Sequence, residues 1–225
     1  MKAILKIGLY WIIFMNSMYA QSFENDMLTM QKAYADVSNL YLEMENTIWK
    51  DAVIAKEQKA KIYKKGALYL YEIEDATMLI NKEYILMIDH LSKTIIYDKW
   101  TEEQAKALMQ QHIPTLSDIE KNYPSIIYNG EQNNHRKYTL ENKEVQLSKV
   151  EISFELKTGF MRKVRYYYNP KFIDKEVYTE LKMNVIDTSP SFESSTFSEK
   201  RFVTQKDHKF RGTGKYSSYT VQSAK

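Results

Sequence analysis

The chain has 225 residues, 44% of them hydrophobic, with only 6 Gly and 4 Pro and no Cys. That allows one sizeable core, and it excludes fibrous, low-complexity and disordered classes, disulfide frameworks and thiol nucleophiles. The formal charge is +3, and residues 1–20 hold two lysines and no acid, so the remainder carries 30 basic against 29 acidic side chains and gives no electrostatic case for nucleic acid.

Lys2 and Lys6 precede the apolar run Ile7–Met15, which ends in the polar, small exit Asn16–Ala20. The run is about half of the ~20 residues a spanning helix needs. It reads as a secretory signal over 1–20, with a single mature domain over 21–225 exported across the inner membrane to the periplasm. An uncleaved anchor is the alternative, because Met18 is a poor residue for cleavage after Ala20. With no cysteine at the exit, the chain cannot itself carry an N-terminal lipid.

Ser22–Asp36 carries Phe23, Met27, Met30 and Tyr34 at helical spacing, with Ser22 as cap and Glu24 and Asp26 at the positive end of the dipole. Val37–Trp49 then switches to period two, with Leu40, Leu42, Met44 and Ile48 on one side. Lys50–Gln58 reads as a polar loop. From Lys59 to Asp98 come five short strands, KAKIYKK, ALYLYEIED, TMLIN, YILMIDH and KTIIYD, separated by tight polar turns. Both faces of these strands carry bulk: Tyr69, Tyr71 and Ile73 oppose Leu68 and Leu70, and Ile85 and Met87 oppose Leu86 and Ile88. A sheet exposed on one side alternates more cleanly, so its second face must be covered.

Thr101-Glu102-Glu103 is a helix start that leads into Leu108 and Met109 and stops at Pro114; Leu116 and Ile119 mark a second short helix to Asn122. These two helices are the expected cover, either a moving lid or a permanent plug. Strands return at Ser125–Asn129 before an Asn129-Gly130 turn, then at Arg136–Leu140, Val145–Leu156, Phe160–Tyr168 and Val177–Val185. Phe197–Val203 and Tyr216–Gln222 read as edge strands. About ten strands exceed a flat sheet. The predicted fold is mainly β with short helices (α+β): a curved antiparallel half-barrel covered by helices, with a closed barrel as the alternative.

Catalytic patterns are absent from the residues. The four histidines are scattered, with no pair at metal-ligand helical spacing; no nucleophile elbow or phosphate loop occurs, and Gly212-Thr213-Gly214 is a turn. Tyr166-Tyr167-Tyr168 beside Arg162, Lys163 and Arg165 invites a nucleic-acid stacking platform, which the near-zero charge opposes. The expectation is no catalytic residue, no metal and no cofactor. Met44, Met78, Met87, Met161 and Met183 fall on predicted strands, where flexible thioethers suit either core filling or an adaptable apolar ligand.

The order signal, amphipathic helix, long strand, meander and crossing helices resembles the periplasmic lipoprotein carriers of the LolA/LolB-like family. The resemblance is carried by Phe23 to Tyr34, by NLYLEMENTIW and KAKIYKKGALYLYEIE, and by MLINKEYILMIDHLSKTIIYDKW. Two departures stand out. Asn81-Lys82-Glu83 replaces the family's Asp-Gly turn, and between 57 and 66 the only cations are Lys59, Lys61, Lys64 and Lys65, so no lid-locking arginine is carried over. The resemblance implies an incomplete barrel that binds lipid or lipoprotein acyl chains and hands them to the outer membrane, with peripheral membrane contact. The expected lining is Leu42, Met44, Leu70, Leu79, Leu86, Ile96, Phe154 and Phe160, with Leu108, Met109, Leu116 and Ile119 on the lid. The alternative is an interaction subunit of an envelope complex that takes a partner's strand along 213–223.

Overall fold

The computed structural model describes residues 22–99, 101, 104, 116–173, 175–206 and 209–224. The stretch 1–20 expected to be a secretory signal, and most of the stretch expected to form the first lid helix, with Leu108 and Met109, lie outside them. Thr101 and Gln104 are described. The Gln104 amide donates to Thr101 Oγ1 at 3.3 Å and the Thr101 amide to Gln104 Oε1 at 2.8 Å, a reciprocal capping pair where the helix start was expected.

The elements run α1 (22–36), β1 (Asn39–Lys50), β2 (Val53–Lys65), β3 (Leu68–Ile73), β4 (Ala76–Ile80), β5 (Tyr84–Asp89), β6 (Thr94–Lys99), α2 (Leu116–Asn122), β7 (Ser125–Gln132), β8 (His135–Glu141), β9 (Leu147–Glu155), β10 (Met161–Tyr168), β11 (Val177–Asp187), β12 (Val203–Lys206), β13 (Lys209–Gly212) and β14 (Thr220–Ser223). Twelve strands form one sheet in the order β14-β6-β5-β4-β3-β2-β1-β11-β10-β9-β8-β7, and β12 and β13 pair apart from it. Among the described residues the sheet ends at β14 and β7 and does not close into a barrel. The fold is α+β and mainly strand.

Three details correct the sequence reading. Residues 50–58 are not a polar loop: Asp51 and Ala52 make a two-residue turn at φ 50° and 62°, and β2 begins at once. Asn129-Gly130 is not the hairpin turn; β7 runs on through an irregularity between Tyr128 and Glu131, and the chain reverses at Asn133-Asn134. The C-terminal edge strand is only Thr220–Ser223, and it pairs with β6 in parallel.

The chain falls into two compact units interleaved in sequence. In the first, described over 22–36, Thr47–Lys56 and 116–182 except 174, α1 and α2 pack on β7–β10. The helical stripe Phe23, Met27 and Met30 is buried with Ile119, Tyr138, Leu140, Val150, Ile152, Phe154 and Val164. Each large side chain so buried contributes about 1.5–3 kcal/mol. Asp26 is a docking residue rather than a dipole partner alone: Arg136 Nη1 donates to it at 2.8 Å and the Tyr138 hydroxyl at 2.7 Å.

The second unit is described over Val37–Asn46, residues 57–99, 101, 104 and residues 183–224 except 207 and 208. Its β3–β6 meander is held by direct pairing: Leu70 lies opposite Leu79, and Leu79 opposite Leu86. This row, with Ile88 and Ile95, is buried by Phe197, Phe202, Val203 and Tyr216. Among the described residues the cover here is the C-terminal segment, folded as two 3-10 turns and the β12–β13 hairpin.

Candidate functional site

The second face of the same meander is different. Cross-strand register places Ile62 opposite Tyr71, Tyr71 opposite Met78, Met78 opposite Met87, and Met87 opposite Ile96. Directly opposed residues share a face, so five apolar side chains from β2 to β6 form one continuous row. A second row beside it holds Lys64, Tyr69, Ile80, Ile85 and Asp98.

β1 extends this face. The Tyr41 ring lies 5.0 Å from that of Tyr63, and Glu43 lies 3.9 Å from Lys61, so Tyr41 and Glu43 share the C-terminally covered face with Leu70. Strand alternation then puts Leu40, Leu42 and Met44 on the side of Met78 and Met87. Exposure along this side varies: Leu42 and Ile80 are buried, Met44, Met78 and Ile96 are half-buried, and Met87 is 55% exposed.

The electrostatics suit an apolar guest. The rows carry two thioethers and no charged residue except at the two ends of the second row, Asp98 and Lys64, the latter donating to the Val37 carbonyl at 2.7 Å. Burial lowers the Lys64 pKa and raises those of the Tyr69 and Tyr71 phenols. All three shifts mark a weakly hydrated surface. Among the described residues, no three His, Asp or Glu side chains gather where they could hold a metal ion.

The predicted site residues are divided among three places. Leu42, Met44 and Ile96 lie on the apolar face. Leu70, Leu79 and Leu86 point the other way and are at most 1% exposed beneath the C-terminal segment. Phe154 and Phe160 belong to the helix-covered core of the first unit, where Phe154 meets Phe23 and Phe160 meets Tyr34 edge-on at 4.9 Å. Leu116 and Ile119 of α2 pack into that same core. Leu108 and Met109 lie outside the described residues. The row partners Ile62, Tyr71, Met78 and Met87 were absent from the predicted lining, although the two-faced bulk of residues 67–98 was the signal for the last three.

No protein-family model and no curated protein sequence matches the chain. Among solved structures, the chain is similar to an uncharacterized conserved protein from Thermus thermophilus, at 11% identity and a TM-score of 0.51, over 90% of this chain and 99% of that one. It is also similar to a LolA superfamily protein from Nitrosomonas europaea (9% identity, TM-score 0.35, 81% of this chain and 98% of that one). The lipoprotein LppX of Mycobacterium tuberculosis is a further match (5% identity, TM-score 0.43, 77% and 99%). At 11% identity the likeness to the Thermus thermophilus protein concerns the fold alone.

Proposed function

We propose that the protein is a non-catalytic periplasmic carrier that binds lipid or lipoprotein acyl chains on the apolar face of β1–β6. The observation that carries this reading is the row Ile62–Tyr71–Met78–Met87–Ile96. Five adjacent strands at ~4.8 Å spacing span about 19 Å, comparable with an extended long acyl chain. Unbranched thioethers at its centre adapt to a flexible guest, and each buried methylene contributes about 0.8 kcal/mol. The secretory signal and the resemblance to lipoprotein carriers agree with this reading. Native mass spectrometry of protein recovered from cell envelopes tests it. Co-purifying lipid or acylated protein is expected, and a protein that stays empty when offered fatty acyl chains contradicts it.

The second reading, an interaction subunit, draws on the edge position of β14, which ends the strand order. With four residues, it offers a partner strand few ladder hydrogen bonds. A fixed stoichiometric partner in crosslinked cells, without lipid, favours this reading instead.

A further inference from the structure

The β1–β2 hairpin ends in Ala52-Val53-Ile54-Ala55, four consecutive apolar residues that are all exposed, Val53 at 67% and Ile54 at 47%. Such a run works against folding and solubility unless it has a use. Another exposed apolar side chain stands at the same end of the first unit. Phe172, 59% exposed, lies in the β10–β11 connection, and Glu176, at the far end of that connection, accepts a hydrogen bond from the Asp51 amide at 2.9 Å. Tyr178 stacks on Trp49 with ring centroids 5.7 Å apart, which further ties the start of β11 to this hairpin.

We infer that this end of the protein, Val53 and Ile54 with Phe172, inserts into a lipid bilayer surface. Neighbouring strand residues point to opposite faces, so Val53 and Ile54 leave the hairpin on both sides. A protein groove covers one side of a strand, whereas the bilayer interface surrounds a tip from all sides. Lys50 and Lys56 flank the run and Lys175 stands 4.0 Å from Asp51. Their long stems can lie along the interface while the ammonium groups reach the phosphates. Cations and acids are balanced here, with Lys50, Lys56, Lys171 and Lys175 against Asp51, Glu57, Glu144 and Glu176. Insertion therefore rests on apolar area rather than on anionic lipid. This site is separate from the apolar face of β1–β6 and stands without the carrier reading.

The chain has no cysteine, so Ala52→Cys gives a single attachment point for an environment-sensitive fluorophore. With vesicles of zwitterionic phosphatidylethanolamine and phosphatidylcholine, the label is expected to shift to the blue and to be quenched by lipids brominated along their acyl chains. The same label at Lys82→Cys, on the β4–β5 turn, is expected to stay unchanged. Replacing Val53, Ile54 and Phe172 together with serine is expected to lower vesicle partitioning through this tip by about a hundredfold, with an unchanged far-ultraviolet circular dichroism spectrum. A label at 52 that does not respond while the protein cosediments with vesicles overturns the inference. So does vesicle binding that vanishes at moderate salt or requires anionic lipid, and so does a response at 52 to a protein partner alone.

Discussion

Met78 and Met87 stand opposite each other across β4 and β5, while their sequence neighbours Leu79 and Leu86 form the adjacent pair on the other face. Leu79 and Leu86 lie at the centre of a core closed by Phe197, Phe202, Val203 and Tyr216; Met78 and Met87 are outside that core. One residue of alternation thus separates the packed core from the face proposed to take a guest. The two faces give opposite outcomes for the same substitution. Leu79→Glu places an unpaired carboxylate in a dry core and is expected to cost several kcal/mol and abolish cooperative folding. Met87→Glu is expected to leave the thermal midpoint within a few degrees and to remove binding of an apolar fluorescent probe. Melting curves beside probe titrations separate the two.

Gly212 is required by its surroundings. A Cβ at this position meets the Tyr216 carbonyl oxygen at 1.8 Å, and that oxygen belongs to backbone that cannot step aside without dismantling the adjoining 3-10 turn. Gly212→Ala is expected to destabilise the second unit by about 2–4 kcal/mol, read as a lowered urea midpoint. It also loosens the cover over Leu86 and Ile88, so amide exchange in β5 is expected to quicken with it.

Asn81 takes the place of the Asp-Gly turn that the sequence lacks. Its Oδ1 accepts from the amides of Glu83 and Tyr84, both at 2.9 Å, and its Nδ2 donates to Glu199 Oε2 at 2.8 Å. The residue is 8% exposed. Asn81→Ala strands two backbone donors and is expected to cost about 1–3 kcal/mol, whereas Asn81→Asp keeps the turn but sets two carboxylates together at Glu199. Chemical denaturation at pH 7 is expected to rank the wild type above both variants.

Acid stability follows from a cluster on the first unit. Burial alone would raise the Glu180 carboxyl, but the hydrogen bonds and charges of Arg165, at 2.5 Å, and Lys163, at 3.0 Å, outweigh it and hold the group below the usual carboxylate range. A depressed folded-state pKa means stability that is complete above the unfolded value of about 4.3 and is lost as pH falls through the folded value. The unfolding free energy is therefore expected to drop with acid in that window, and Glu180→Gln to flatten the dependence while lowering stability at neutral pH. Denaturant titrations at a series of pH values read both effects.

Much of the architecture was legible in the residues. The helix 22–36 and its buried stripe follow from Phe23, Met27 and Met30, and the meander from its regular turns. The alternation of Val150, Ile152 and Phe154 matches their burial, although Leu156 at the end of that pattern is exposed. The hairpin at Asp51-Ala52 was not legible, because neither residue is the Gly or Asn that usually supplies positive φ. The site was half legible. Two-faced bulk between 67 and 98 announced two covers, but period-two patterns do not say which face meets which segment. The C-terminal residues Phe197, Phe202 and Tyr216 read as edge strands, so the Leu70–Leu79–Leu86 face was assigned to the ligand when this chain's own tail fills it.

The most direct test of the carrier account is to crosslink a fatty acyl chain bearing a photoactivatable diazirine to the protein and locate the adducts by peptide mass spectrometry. The account predicts adducts on the peptides that hold Tyr71, Met78, Met87 and Ile96, and their loss in Met87→Glu. Adducts confined to the peptides of Phe154 and Phe160, or none above the level of a denatured control, would contradict it.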